Sequence, residues 1–194
     1  MLPSKTGSIP VASTINTNMK LTELFEMKYN LGIPKVGKGT DLTRYMRSKL
    51  PNFPDYVLND WIKELVADKV EFDQLLNELS QRFGPLDKIV WTREPQVLNF
   101  SLDSFDDYTK KKIELRQGGE VNPSKIPGDV ARHKTQSGLI KGKNPKDIII
   151  REPVIVFKRG KQYELIEGWH RTIQALKHYP NGYRGYAFIG KQGR

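Results

Sequence analysis

Cysteine is absent from the 194 residues of this chain. Its absence excludes disulfide bonds, thiolate catalysis and cysteine-ligated zinc, and it makes the reducing cytoplasm the expected location. No apolar run approaches the ~20 residues that a transmembrane helix requires, so we expect no membrane partner. The first residues, 1–5, lack the apolar stretch that follows the basic residues of a signal peptide.

Histidine is also scarce, with three residues, His133, His170 and His178. None of them stands at a metal-binding spacing from carboxylates. His170 and His178 are too far apart on one predicted helix to share an ion. The sequence therefore predicts no metal site, apart from magnesium that accompanies a bound nucleotide.

The chain carries a formal net charge of +10, and the whole excess lies in its last third. Residues 1–131 contain 18 basic and 18 acidic residues, whereas residues 132–194 contain 14 basic and 4 acidic residues. Such an uneven field attracts a polyanion or a phosphorylated ligand over about a Debye length, ~8 Å at physiological salt. A solubilising surface without a partner is the alternative explanation.

Hydrophobic periodicity divides the chain into three parts. Residues 1–18 are rich in Ser, Thr, Asn and Pro and show no period, which predicts a flexible arm. Residues 19–85 carry apolar residues at helical spacing, most clearly over 55–66 and 72–83, which predicts a helical unit. Residues 86–194 alternate short apolar runs with turn residues. The pattern predicts an α+β fold in which the helical unit precedes a small α/β domain.

Within the last part, strands are predicted at residues 88–91, 96–100, 147–150, 153–157, 162–166 and 185–189. Ser104 and Asp107 form a predicted capping box for a helix that runs through the basic cluster Lys110–Lys112. A further helix is predicted over 169–179. The Gly-, Pro- and Lys-rich segment 119–146 is predicted to be a long loop, and loops of this length are usually functional or mobile.

The strongest local signal is a predicted strand, a turn and a helix around residues 167–172. The first backbone N–H groups of a helix are unpaired and its dipole adds roughly +0.5 charge there, which favours an anion. Gly168 allows close approach of a ligand to the backbone. Arg171 supplies a guanidinium group suited to phosphate, His170 a titratable donor and Thr172 a hydroxyl.

A second explanation exists for each of these residues. Trp169, Ile173 and Leu176 share one helical face, so Trp169 is better explained as a core anchor than as a ligand contact. His170 and Arg171 fall outside that face. Their spacing alone is equally compatible with a solvated surface and with a functional site.

Three segments resemble the ParB/sulfiredoxin superfamily. They are EPVIV at 152–156, YELIEGWHR at 163–171 and the dipeptide Ala175-Leu176. Domains of that superfamily carry a P-I-V-V strand, a hairpin, a Y-x-I-I-x-G-x-x-R turn and a small residue further along the helix. The likeness covers about residues 145–194. It implies a small α/β domain that binds a nucleoside triphosphate, ATP or CTP with Mg²⁺, through Gly168, Trp169, His170, Arg171 and Thr172.

Departures from the family pattern reduce the number of superfamily activities that we expect of this chain. Sulfiredoxins have their catalytic cysteine where Trp169 stands, so that activity is excluded. Partition proteins add a helix-turn-helix module after the domain, which is not found before Arg194, so an ordinary partition role is not expected. In kinase members an acidic residue precedes the glycine. Glu167 would then act as base or magnesium ligand, with His170 as a second catalytic group. The second carboxylate would be Glu120, Asp129 or Glu152.

Nucleic acid is a further predicted partner. Basic residues interleaved with aromatic residues suit tracking of a phosphate backbone and stacking of bases. The residues predicted to contact nucleic acid are Lys141, Lys143, Lys158 and Arg159. The alternative is that the nearby aromatic side chains fill the core of the last strand.

Three functional hypotheses follow from these patterns. The first is a ParB-like nucleotide-binding protein that acts on or with DNA, as a nuclease or a nucleotide-gated DNA binder. The second is an ATP-dependent phosphotransferase, and the third is a non-catalytic binding module. The small size would suit a phage or mobile-element protein.

Overall fold

The computed structural model describes residues 40–117 and 149–193. These residues belong to one compact unit, Pro34–Arg194. The predicted arm 1–18, residues 19–39 of the helical unit and the predicted loop 119–146 lie outside the described residues.

Three helices precede the sheet. They are α1, Thr40–Lys49; α2, a continuous helical segment made of Asp55–Val57, a π-helical stretch Leu58–Ile62 and Lys63–Leu65; and α3, Lys69–Phe83. The helices predicted over 55–66 and 72–83 are confirmed. Asp68 fixes the start of α3, because its carboxylate accepts a hydrogen bond from the Glu71 N–H at 2.9 Å.

Five strands and two further helices follow. They are β1, Ile89–Trp91; β2, Gln96–Phe100; α4, Asp107–Gln117; β3, Ile149–Arg159; β4, Gln162–Glu167; α5, Trp169–His178; and β5, Tyr183–Gln192. The order in the sheet is β1–β5–β3–β4, with β2 also paired to β5. β3 runs parallel to β5 and antiparallel to β4. Since α5 connects β4 to β5, the two neighbours of β3, it crosses over β3.

β3 is one strand where the sequence predicts two. Its register against β5 shifts between Ile150 and Val154. Pro153 lies in this irregular stretch, where the missing N–H of proline costs no regular ladder bond. The Pro153 carbonyl is therefore available to side chains from other elements.

Both faces of the sheet are covered by helices. On one face, the ring of Phe83 from α3 lies 4.8 Å from Phe157, and Tyr56 from α2 stacks on Phe188 at 5.1 Å. On the other face, α4 and α5 close a core around Ile113, Val154, Val156, Leu165, Ile173 and Leu176. The α+β class is confirmed. Through the contact of Phe83 with Phe157, α3 lies directly against β3.

The start of α4 differs from the prediction. The Asp106 carboxylate accepts the Thr109 N–H at 2.9 Å and so caps this helix. Ser104 instead pairs with Ser101 in a capping box of a short 3₁₀ turn that precedes the helix. The predicted box of Ser104 and Asp107 is wrong, because the preceding turn already uses Ser104. Among the described residues, no helix is long and apolar enough to cross a membrane.

Candidate functional site

Gly168 forms the junction between β4 and α5. Its backbone is left-handed, with φ 97° and ψ 22°. A Cβ built at this position would lie 2.5 Å from Cγ1 of Val154 on β3. A residue other than glycine would therefore meet both backbone strain and a steric clash. Glycine is required here by the close packing of the turn on the sheet, in addition to any contact with a ligand.

The start of α5 has a glycine as its N-cap residue. This residue is Gly168, which has no side chain to cap the helix, and the first intrahelical bond runs from the Thr172 N–H to the Gly168 carbonyl at 3.0 Å. The N–H groups of the three preceding helical residues therefore point out of the helix end. Together with the helix dipole, they form a positive end that suits one anionic oxygen group.

Trp169, the first residue of α5, links this helix end to α4. Its indole N–H donates to the Ile166 carbonyl at 3.2 Å, and its ring packs at the margin of the core. Lys112 Nζ lies 6.0 Å and Arg116 Cζ 5.4 Å from the centroid of this ring. Trp169 thus has the predicted packing role and also holds two α4 cations near the start of α5 through cation–π contacts.

Arg171 is turned toward β3. Its side chain is 12% exposed, its Nη1 lies 2.7 Å from a Glu152 carboxylate oxygen, and its Nη2 donates to the Pro153 carbonyl at 2.9 Å. The Tyr56 hydroxyl donates to the same carbonyl at 2.9 Å. The Arg171 Nε is buried and has no hydrogen-bond partner among the described residues. Arg171 therefore holds the irregular part of β3 while one of its donors stays unsatisfied.

Two tyrosines near Arg171 are harder to ionise than a free phenol. Burial raises the pKa of Tyr56 to about 12, although the positive charge of Arg171 opposes part of the shift. Burial also raises the pKa of Tyr183 above its ordinary range. The Tyr183 hydroxyl lies 3.1 Å from the Thr172 hydroxyl inside the core. Both tyrosines are therefore neutral at physiological pH and serve as hydrogen-bonding groups.

The remaining predicted residues of the turn have different surroundings. Thr172 is fully buried against Tyr183, which argues against the predicted phosphate contact of its hydroxyl. Glu167 is the last residue of β4, opposite Ile155, and His170 is the second residue of α5. The side chains of Glu167 and His170 are half-buried. The structure thus brings both predicted catalytic residues to one turn.

A run of alternating cations and rings continues from Trp169 around the β4 edge. Lys112 Nζ also lies 5.1 Å from the Tyr108 ring centroid, and Arg82 Cζ lies 5.9 Å from the same ring. Beyond Arg82, the buried Glu164 carboxylate bonds both Arg82 and Arg159. We call the surface formed by Arg82, Tyr108, Lys112, Arg116, Arg159 and Trp169 the basic–aromatic band.

The residues predicted to bind nucleic acid overlap this band only in part. Arg159 belongs to it, and its Nε lies 2.6 Å from Glu164. Lys158 is exposed on β3, next to the band. Lys141 and Lys143 lie outside the described residues, as do the candidate carboxylates Glu120 and Asp129.

Three members of the band, Lys112, Arg159 and Trp169, were singled out from the sequence. The other three, Arg82, Tyr108 and Arg116, were not. Arg82 lies in a different part of the chain, and only the fold brings it to Tyr108.

The described residues fit a phosphate group better than they fit a metal ion. The start of α5, the two cations over Trp169 and the Arg171 Nε all supply hydrogen-bond donors or positive charge. Within the described ranges, no group of three or more His, Asp or Glu side chains could hold a metal ion. Magnesium would therefore have to be held largely by the phosphates of a nucleotide, with Glu167 as a nearby carboxylate.

Comparison of the chain with models of protein families, with curated proteins and with solved structures gives no match.

Proposed function

We propose that the chain is a ParB/sulfiredoxin-like protein that binds nucleotide phosphates, of ATP or CTP, at the start of α5 and works with nucleic acid. The observation that carries the proposal is the pair of cations, Lys112 and Arg116, over the ring of Trp169, the first residue of a helix whose N-cap residue is Gly168. The helix end belongs to α5 and the two cations belong to α4, and both favour the same ligand, a multiply charged anion.

The residues of this site have distinct proposed roles. The N–H groups that open α5 would donate hydrogen bonds to the phosphate oxygens, while Lys112 and Arg116 would neutralise the remaining charge. Arg171 would act mainly through the backbone, because its contacts with Glu152 and the Pro153 carbonyl fix β3 beside the turn. Bound nucleotide would supply the phosphates and any magnesium, and the chain would supply orientation and charge.

Phosphotransfer is the second hypothesis. Glu167 lies at the turn, where a catalytic base would be needed. Glu152, one of the candidate second carboxylates, is paired with Arg171 at 2.7 Å. A kinase would need a second acid close to Glu167, so phosphotransfer and the non-catalytic module stay predictions to be separated by experiment.

The proposal is tested by calorimetric titration of ATP and CTP, with magnesium, into the wild type and into Arg116→Gln. We expect wild-type binding and a loss of roughly tenfold or more in the variant, since a hydrogen bond to a charged group contributes about 1.5–3 kcal/mol. Arg171→Ala, with its fold checked by circular dichroism, tests the predicted binding residue. Release of nucleoside diphosphate only after an acceptor is added would support the phosphotransferase hypothesis, whereas release without an acceptor would show hydrolysis by water.

Lys177→Gln is the matched control for Arg116→Gln. It removes one positive charge from the exposed last turn of α5, at the opposite end of the helix. We expect this variant to bind nucleotide as the wild type does. The proposal fails when neither nucleotide binds the wild type, or when the two charge removals weaken binding equally.

A further inference from the structure

Two lysines lie side by side at the end of the sheet that carries the β3–β4 hairpin. The parallel pairing of β3 with β5 reaches Phe157 and Gly190, so the next residues, Lys158 and Lys191, are neighbours on these two strands. On the other side of Lys191, β1 places Val90 directly opposite it. The register of the sheet therefore sets two cations at the centre of a row that crosses several strands.

The positive charge at this end of the sheet is exposed. Lys158, Lys191 and Lys161 of the hairpin turn are all exposed, and none of them forms an ion pair with another described residue. Glu164, a buried acid of β4, already bonds two arginines. Like charges on neighbouring strands destabilise a sheet, so an anion that bridges Lys158 and Lys191 would also remove their repulsion. We call Lys158, Lys161 and Lys191 the hairpin-end lysines.

From this arrangement we infer that the hairpin-end lysines bind the phosphate backbone of duplex nucleic acid. The inference rests on the proposed function for the class of partner, and it adds the surface and the form of nucleic acid that this surface fits. It does not depend on the nucleotide site, because the hairpin and the start of α5 lie at opposite ends of β4. The strand Gln162–Glu167 separates them by roughly 17 Å.

The side chains of this surface favour a duplex over a single strand. Single strands gain affinity when their bases stack on exposed aromatic rings. Tyr163, the aromatic residue opposite Lys158 on β4, is half-buried and packs against the core. The surface therefore offers ammonium groups, which contact phosphates as point charges and read no bases. A duplex presents the denser array of phosphates, about one charge per 1.7 Å of helix axis.

A lipid surface is a less suitable partner for these lysines. Binding at a membrane surface combines cations with apolar side chains that enter the lipid. Val90 is the exposed apolar residue beside Lys191, and one valine buries little area. The charge of the hairpin-end lysines therefore fits phosphates that are reached without insertion, as in a nucleic-acid duplex.

The inference is tested by fluorescence anisotropy with a labelled 16-base-pair DNA duplex and with one of its strands alone. With three phosphate contacts and a slope of about 0.9 per contact, affinity for the duplex should fall about 40-fold between 50 and 200 mM salt. The single strand has a slope of about 0.7 per contact, so for equal affinities at 1 M salt the duplex should bind about sixfold more tightly at 50 mM. Absence of duplex binding, or tighter binding of the single strand, would overturn the inference. Binding to phosphatidylserine vesicles without binding to the duplex would overturn it as well.

Paired variants locate the surface. Lys158→Gln and Lys191→Gln should each lower the salt slope for the duplex by about 0.9, because each removes one phosphate contact. Arg184→Gln is the matched control, since Arg184 is an exposed cation near the other end of β5. This variant should leave the slope unchanged. Equal effects of the Arg184 and Lys191 variants would show that the duplex responds to net charge alone and would overturn the inference.

The outcomes for the two proposals are distinguishable. A protein that binds the duplex through Lys158 and Lys191 but binds neither ATP nor CTP retains the hairpin-end surface and loses the proposed nucleotide site. A protein that binds a nucleotide at the start of α5 but no duplex retains the nucleotide site and overturns the inference about the hairpin-end lysines.

Discussion

Replacement of Gly168 by alanine separates the structural requirement for this glycine from any role in ligand binding. The left-handed backbone costs an alanine about 1–2 kcal/mol. The new Cβ would also lie 2.5 Å from Cγ1 and 2.9 Å from Cβ of Val154, and such overpacking costs typically about 1–3 kcal/mol more. We therefore expect Gly168→Ala to lower the free energy of unfolding by about 2–5 kcal/mol, measured by urea denaturation followed by circular dichroism.

Gly160→Ala is the matched control for this prediction. Gly160 is also left-handed, with φ 60°, but a Cβ there meets no atom of the described residues within 4 Å. Gly160→Ala should therefore lower the free energy of unfolding by the backbone cost alone. The difference in free energy of unfolding between the two variants then measures the cost of the contact with Val154. A Val154→Ala substitution should reduce the cost of Gly168→Ala and leave that of Gly160→Ala unchanged. Equal destabilisation by the two glycine substitutions would refute the packing argument.

Two further predictions concern buried polar groups. Glu164→Ala should lower the free energy of unfolding by about 1–3 kcal/mol. The loss is smaller than for a fully buried ion pair because the side chains of Arg82 and Arg159 are 26% and 41% exposed. A urea midpoint equal to that of the wild type would contradict this prediction. The pKa values of Tyr56 and Tyr183 are raised in the folded state, so as the pH rises these tyrosines ionise first in the unfolded state, near pH 10. The free energy of unfolding should therefore hold its full value below pH 10 and fall as the pH rises toward 12. In urea titrations between pH 8 and 12, the free energy of unfolding should fall less steeply with pH for Tyr56→Phe than for the wild type. Tyr183 would cause the fall that remains in this variant. The same pH dependence in both proteins would contradict the role of Tyr56.

Hydrophobic spacing predicted the secondary structure well because burial of one face decides it. The stripes over 55–66 and 72–83 became α2 and α3, and the apolar run at 96–100 became β2 with the same bounds. The strand at 153–157 was predicted too short, since an irregular strand with a proline in it can continue across a register shift. Local patterns carry no signal for such a continuation.

The candidate site was predictable only where its parts are adjacent in sequence. The turn at Gly168 and the helix after it follow from the order of glycine and apolar residues. The partner of Arg171, the Pro153 carbonyl, depends on the irregular pairing of β3 with β5. The contact of Arg82 with Tyr108 joins α3 to α4 through the tertiary fold. Neither contact has a local sequence pattern, so both required the structure.

The most direct test of the central claim is a titration of ¹⁵N-labelled protein with ATP and magnesium, followed by two-dimensional NMR. We expect the largest chemical-shift changes at the backbone amides of Trp169, His170 and Arg171 and at the Trp169 indole, while the amide of Lys177 at the other end of α5 stays unchanged. Shifts that are absent, or that are largest away from the start of α5, would contradict the claim that this helix end binds phosphate.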